Sequence, residues 1–291
     1  MAKSIKIQLE DIYEPVTQAQ INDAKRFVLR REDTATALGS LIDSLLSDAA
    51  EKIARICLRY GVDPEKFVIS SKYNEKMMDE VADVMNALEE EILDYICDYS
   101  TRCANDQENK GLILLFILSL GRDNMNLKET LERRLRFFLK DIEAMIAVSA
   151  LTKLHQAKAI TLIKSYLHTV YQMPGMTAAF ANASKFKAEN IRNRGVKHGN
   201  IGNSNSEANN IVRFGKMTLQ MGWMHYKQKE YEDAGAAGYY VLRGSDYPCD
   251  LCERNKGFHT IDDKEGFPPV HGNCVCYAVP VFEKDINKFM Q

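Results

Sequence analysis

Four of the chain's seven cysteines fall between residues 249 and 276, with a histidine among them. Their order is Cys249-x2-Cys252-x18-His271-x2-Cys274-x-Cys276. Two cysteines separated by two residues can wrap one ion as a knuckle. A second pair of soft or borderline ligands, arriving after an excursion of roughly 15–20 residues, completes the usual zinc arrangement. Pro248, Gly257, Gly266, Pro268, Pro269 and Gly272 surround these ligands with turn formers. Such a segment has little core of its own, and a metal holds it together.

Five donors exceed the four that structural zinc takes. Zn–S bonds of about 2.3 Å put neighbouring sulfurs roughly 3.8 Å apart, whereas residues two apart on a strand have Cα atoms roughly 6.6 Å apart. Cys274 and Cys276 both ligate only if the strand bends between them. The preferred set is therefore Cys249, Cys252, His271 and Cys274, with Cys276 as a spare thiol or core residue. The competing readings are a disulfide pair formed in oxidising surroundings and cysteines that simply pack.

A catalytic zinc keeps an open position, and this cluster offers a surplus of ligands. The run Pro248-Cys249-Asp250-Leu251-Cys252 fits half of a zinc deaminase motif. The other half, H-x-E, has His225-Tyr226-Lys227 as its nearest candidate and lacks the glutamate. No H-E-x-x-H, G-x-S-x-G or P-loop occurs elsewhere. His259 reads as a solvated loop histidine, and Asp250 and Glu253 as solvent charges. The expectation is a protein that is not an enzyme and has no catalytic residues.

The elements that must position this cluster are mostly helices. Apolar residues recur at three- and four-residue steps through 17–31, 33–60 and 72–103, with a stop at Gly61-Val62-Asp63-Pro64. Residues 105–110 read as a polar loop. Asn126 and Glu129 form a capping-box pattern before the stripe Leu127, Leu131, Leu135, Leu139, Ile142 and Ile146. That helix runs on, or bends, towards residue 171 and breaks at Pro174-Gly175. Residues 195–206 are rich in Gly, Asn and Ser and read as a surface loop or hinge. A further helix over 206–233 carries the single tryptophan, Trp223. Strands are expected at 239–243 and at 275–282, the second interrupted by Pro280. The predicted fold is mainly α. An elongated helical region, 1–195, is followed by a small α+β, zinc-ribbon-like module over 196–291.

Bulk properties exclude more than they assign. Hydrophobic residues make up 45% and charged residues 27% of the 291, so the chain can bury a sizeable core without depending wholly on metal. A net charge of −2 makes no global demand for nucleic acid or an anionic membrane. Any DNA contact must come from a local patch. Lys185, Lys187, Arg192, Arg194 and Lys197 against Glu189 form one, which would be salt-sensitive and blind to sequence. The opening MAKSIKIQLEDIYEP carries no apolar core of a secretory signal. The most apolar run, residues 111–120, is too short for a bilayer, which takes about 20 apolar residues. It is expected as a buried helix, and no membrane partner is expected. Synthesis in a reducing cytoplasm makes the cysteines thiols or ligands. Cys57, Cys97 and Cys103 lie in helical patterns and read as small core residues.

The terminal motif resembles a known family. Asp246-Tyr247-Pro248-Cys249-Asp250-Leu251-Cys252, then Gly257, then Phe267-Pro268-Pro269-Val270-His271-Gly272-Asn273-Cys274-Val275-Cys276 and Val279-Pro280-Val281 are similar to the signature of the phage Mu F-like minor head proteins. The resemblance covers about residues 200–283. Arg213-Phe214-Gly215 stands where the family usually carries an Arg-Thr-Glu-like triplet, and Val275 replaces an arginine. The resemblance implies a non-enzymatic minor protein of a phage or prophage head. It would be made in the host cytoplasm, carried into the virion head, and associated with the portal, other head proteins and possibly packaged DNA. The alternatives are a zinc-dependent enzyme acting on nucleic acid, deaminase- or nuclease-like, and a stand-alone zinc-binding adaptor.

Overall fold

The computed structural model describes residues 17–61, 75–121, 125–176, 206–271 and 274–286. The chain is mainly helical and ends in a small three-stranded sheet that carries the Cys/His cluster. The described residues include helices α1 (Gln18–Tyr60), α2 (Glu75–Thr101), α3 (Gln107–Ser119), α4 (Leu127–Leu151), α5 (Gln156–Tyr166) and α6 (Glu207–Asp233). Strand β1 (Ala236–Leu242) follows, then a one-turn helix α7 (Asp250–Arg254), β2 (Gly257–Thr260), β3 (Tyr277–Phe282) and a short helix α8 (Glu283–Ile286). Among the described residues, no helix is long and apolar enough to cross a membrane.

Sequence predicts two helices meeting near residue 32, but α1 is continuous. Its buried residues run Ile21, Ala24, Val28, Arg31, Ala35, Leu38, Ile42, Leu46, Ala49, Ile53 and Cys57. These steps of three and four keep one stripe inward, and Glu32-Asp33 contains no breaker. Gly61, at φ +81°, adopts the left-handed conformation that ends a helix. The expected loop over 105–110 is shorter than predicted. Asp106 caps α3 by accepting from the Asn109 N–H at 2.8 Å, so the helix starts at Gln107. The capping box at Asn126 and Glu129 is present, with both reciprocal bonds made. Of the two expected courses past Leu151, a run-on or a bend, the chain takes the bend: α4 stops at Leu151 and Lys153 at φ 51° turns the chain into α5.

The apolar run 111–120 is only half buried. Ile113 and Ile117 are inside, whereas Leu115 is 70% and Leu118 45% exposed. Every face of α3 is apolar, and α6 covers one of them. Gly222 of α6 leaves room for this approach: a Cβ there would lie 3.0 Å from Ile117 and 3.2 Å from Ile113. Phe116 stacks on His225 with ring centroids 4.1 Å apart.

The described residues form two compact units, each discontinuous in sequence. One comprises Gly39–Tyr95 and Gly121–Gly215. Its core is built from the later part of α1, α2, α4, α5 and the start of α6. Buried Asp141 accepts from the Glu207 N–H at 2.9 Å, and Arg134 pairs with Glu207 at 3.0 Å, which fixes the α6 terminus.

The other unit comprises Met1–Leu38, Ile96–Leu120 and Lys216–Gln291 and contains the sheet. Strand order is β2-β1-β3, with both pairings antiparallel. Sequence reading missed β2. The four residues Gly257–Thr260 are too short and too mixed to signal a strand. Strand β3 starts at Tyr277, later than expected, and it is an edge strand, where Pro280 is tolerated. Alternate residues of β1 and β3 face opposite sides. Tyr239, Val241 and Ala278 pack with Tyr231, Phe267 and Cys252, Cys274 and Cys276. On the other side, Leu242, Tyr277 and Val279 pack on Ile21, Ala24 and Val28 of α1.

Trp223 sits at the centre of this unit. It is fully buried, donates its indole N–H to the Tyr99 carbonyl at 3.1 Å and lies 5.6 Å from the Phe27 ring. Trp223→Ala is expected to destabilise the protein by about 3–5 kcal/mol in urea unfolding. A loss below about 1 kcal/mol would show that this packing is not central.

Candidate metal centre

Four short pieces of backbone bring the donors together. Cys249 precedes α7, and Cys252 lies within it. His271 follows the excursion after β2, and Cys274 and Cys276 lead into β3. Because β3 begins only at Tyr277, these two cysteines do not stand on an extended strand. Their sulfurs and that of Cys252 all lie within 4.8 Å of one another. The ligand atoms of Cys249, Cys252 and His271 form a second group with the same spacing. All five sequence-predicted donors therefore meet, and Cys252 belongs to both groups. Cys276 is part of the cluster, although strand spacing had made it the spare.

The distances fit an ion. Cys252 and Cys274 sulfurs are 3.8 Å apart, matching the roughly 3.8 Å edge of a tetrahedron with Zn–S bonds of about 2.3 Å. His271 Nε2 is 3.2 Å from Cys249 Sγ and 2.9 Å from Cys252 Sγ, slightly inside the roughly 3.5 Å an ion would leave. The cluster is geometrically compatible with a structural zinc site. Cys252, Cys274 and Cys276 are buried, and Cys249 and His271 are half-buried at the rim.

The surroundings favour thiolate at Cys249 and Cys274 and disfavour it at Cys252 and Cys276. The Cys252 N–H is the main group holding the Cys249 thiol below its usual value, helped by the Cys252 thiol and the Leu251 N–H. Hydrogen bonds from Cys252 and Cys276 hold Cys274 well down. The same bonds to Cys274, together with burial, push Cys252 and Cys276 up. Thiol ligands must give up their protons to an ion, so binding would release protons and weaken as pH falls.

The supporting residues were not singled out in the sequence. Arg243, just after β1, bonds to the Glu253 carboxylate and the Ser245 and Tyr247 carbonyls. It pins the loop that delivers Cys249, and its charge lies near Cys252 and Cys276. Gly244 comes so close to the next segment that a Cβ would lie 1.8 Å from the Val275 carbonyl oxygen. That approach lets its N–H reach the Cys276 sulfur. On α1, fully buried Arg31 donates through Nη2 to the Cys274 carbonyl at 2.8 Å. Arg31 carried one legible signal, as a charged residue on the buried stripe of its helix.

Other candidates serve as structure. His259 is not a solvated loop residue: it lies on β2 and is only 16% exposed. Its ring nitrogens meet Asp263 Oδ2 at 2.7 Å and the Asn255 carbonyl at 3.0 Å, and it stacks on Tyr239. That hydrogen bond, followed by the Gly266 N–H, holds Asp263 below the usual carboxylate range. Glu253 is tied to Arg243. Cys57 and Cys103 are buried, as small core residues should be. Lys185, Lys187, Arg192, Arg194 and Lys197 lie outside the described residues.

No family model, curated protein or solved structure matches the chain.

Arg243→Met and Gly244→Ala are each expected to weaken zinc affinity by about 10–100-fold, as loss of ligand-orienting contacts does. Competition against a chromogenic chelator measures this. Parent-like affinity in both variants would remove the bracing role.

Proposed function

We propose that this chain is a non-enzymatic binding protein whose terminal module is stapled by zinc. The motif resemblance further suggests that it serves as a minor component of a phage or prophage head. The observation that carries the first part is the convergence of Cys249, Cys252, His271, Cys274 and Cys276. Structural zinc takes four ligands, and this cluster supplies five, so protein donors alone can complete the sphere. Arg243 and Arg31, which surround it, bond to backbone carbonyls. Glu253, the acid one residue from Cys252, is bound to Arg243. His225, the deaminase-like candidate, stacks on Phe116 of α3. These contacts favour a structural ion over a nucleic-acid-acting enzyme.

The setting rests on the motif residues alone. In that reading the chain is made in the host cytoplasm and enters the head. It docks on portal or other head proteins, and the basic run 185–197 gives DNA a non-specific, salt-sensitive contact. A stand-alone zinc-binding adaptor shares the site and differs only in its partner.

Protein purified without chelator is expected to carry about one zinc per chain by elemental analysis; metal-free and fully stable protein would defeat the staple. Cys249→Ser is expected to open residues 243–282 to limited proteolysis while α4 and α5 stay protected. Unchanged protection of the module would also count against the staple. Capture of the chain by a portal protein from the same genome separates the head reading from the adaptor reading. Reversing charge at Lys185, Lys187, Arg192 and Arg194 is expected to abolish DNA retention at low salt. A wild-type chain that retains no DNA there removes the DNA contact.

A further inference from the structure

The link between Arg31 and Cys274 has a consequence for the helices. Arg31 is 1% exposed, an unusual place for a guanidinium, and such a group is retained only while its partners stay in position. Its Nε bonds to Glu32 Oε1 at 3.1 Å, and its Nη2 bonds to the Cys274 carbonyl at 2.8 Å. Glu32 Oε1 also accepts from Gln220 Nε2 of α6 at 2.8 Å, and Gln220 is itself buried. A continuous polar chain therefore runs from α6 through Glu32 and Arg31 of α1 to the backbone of a metal-ligand residue. The surrounding contacts are apolar. Ile21, Ala24 and Val28 of the same helix lie on Leu242, Tyr277 and Val279.

From this arrangement we infer that Arg31 couples metal occupancy to the seating of α1, so that loss of the ion loosens the first turns of that helix from the sheet. The inference rests on the zinc reading of the cluster. An ion held by Cys274 fixes the carbonyl of the same residue. Without the ion, Cys274 keeps its N–H bond to the His271 carbonyl at 3.0 Å and its sulfur contact with Cys252, and its carbonyl loses the restraint that a ligated side chain adds. Arg31 then keeps Glu32 but loses its second partner, the Cys274 carbonyl, in a site closed to water, and the favourable way out is for the helix to move. Moving it uncovers Ile21, Ala24 and Val28 together with the outer face of β1 and β3. The module thereby acts as a metal-dependent latch, and its open state presents a new apolar face.

Hydrogen exchange read by mass spectrometry on the full chain tests this, with zinc bound and after chelation. In the wild type, chelation is expected to speed exchange about tenfold or more in residues 21–31 as well as in 249–276. In Arg31→Met, chelation should affect 249–276 only. Arg31→Lys keeps the charge but not the forked geometry, and should restore the coupling in part. A response confined to 249–276 in the wild type overturns the inference and leaves the zinc site standing. Wild-type coupling in Arg31→Met overturns the role of Arg31. A chain that binds no zinc overturns both the site and the latch.

Discussion

The mutual approach of buried sulfurs constrains everything at the carboxyl-terminal end of this chain. Cys252, Cys274 and Cys276 come from two segments, and each is nearly closed to water. Thiolates repel one another in such surroundings, so either protons or a cation must lie between them. The apolar neighbours are few: Tyr231, Tyr239, Val241, Phe267 and Ala278 with a handful of others. Among the described residues of 261–276 there is no helix or strand. This stretch is fixed by polar ties such as Asn255 to the Gly266 carbonyl, Tyr239 to the Asp263 carbonyl and the Asp263 turn. A divalent ion held there would supply the strong, directional attraction that so small a core lacks.

The helices are the frame for that arrangement. Helix α1 lies on one face of the sheet, and α6, through Tyr231, meets the other along with the cluster. Side chains from both reach backbone in the sheet module: Arg31 to Cys274, and Tyr231 to the Ala278 carbonyl at 2.9 Å. Gln228 likewise donates to the Ile261 carbonyl at 3.2 Å. Long helices thus do the orienting that a metal knuckle cannot do alone, and their polar residues satisfy carbonyls that the short strands leave unpaired.

Much of this was legible before coordinates. Cysteine spacing named all five donors, because ligand chemistry restricts both residue type and separation. Three- and four-residue periodicity found the helices, because burying one stripe imposes it. What was missed depended on contacts between distant segments. Strand β2 owes its existence to pairing with β1, since Gly257-Phe258-His259-Thr260 has little strand character of its own. The place of Cys276 depended on where β3 begins. Arg243 and Gly244 look like ordinary residues after a strand until Glu253 and Val275 arrive beside them. The boundary between the compact units falls inside α1 and α2, where the apolar stripe is uninterrupted and leaves no mark.

The distance along the chain between Arg31 and its acceptor has a price in time. The two residues are 243 positions apart. At a synthesis rate of roughly 5–20 residues per second, the helix emerges roughly ten to fifty seconds before the carbonyl it needs. During that interval the face formed by Ile21, Ala24 and Val28 has no sheet to cover it. The nascent chain therefore carries α1 with that apolar face uncovered until β3 has left the tunnel.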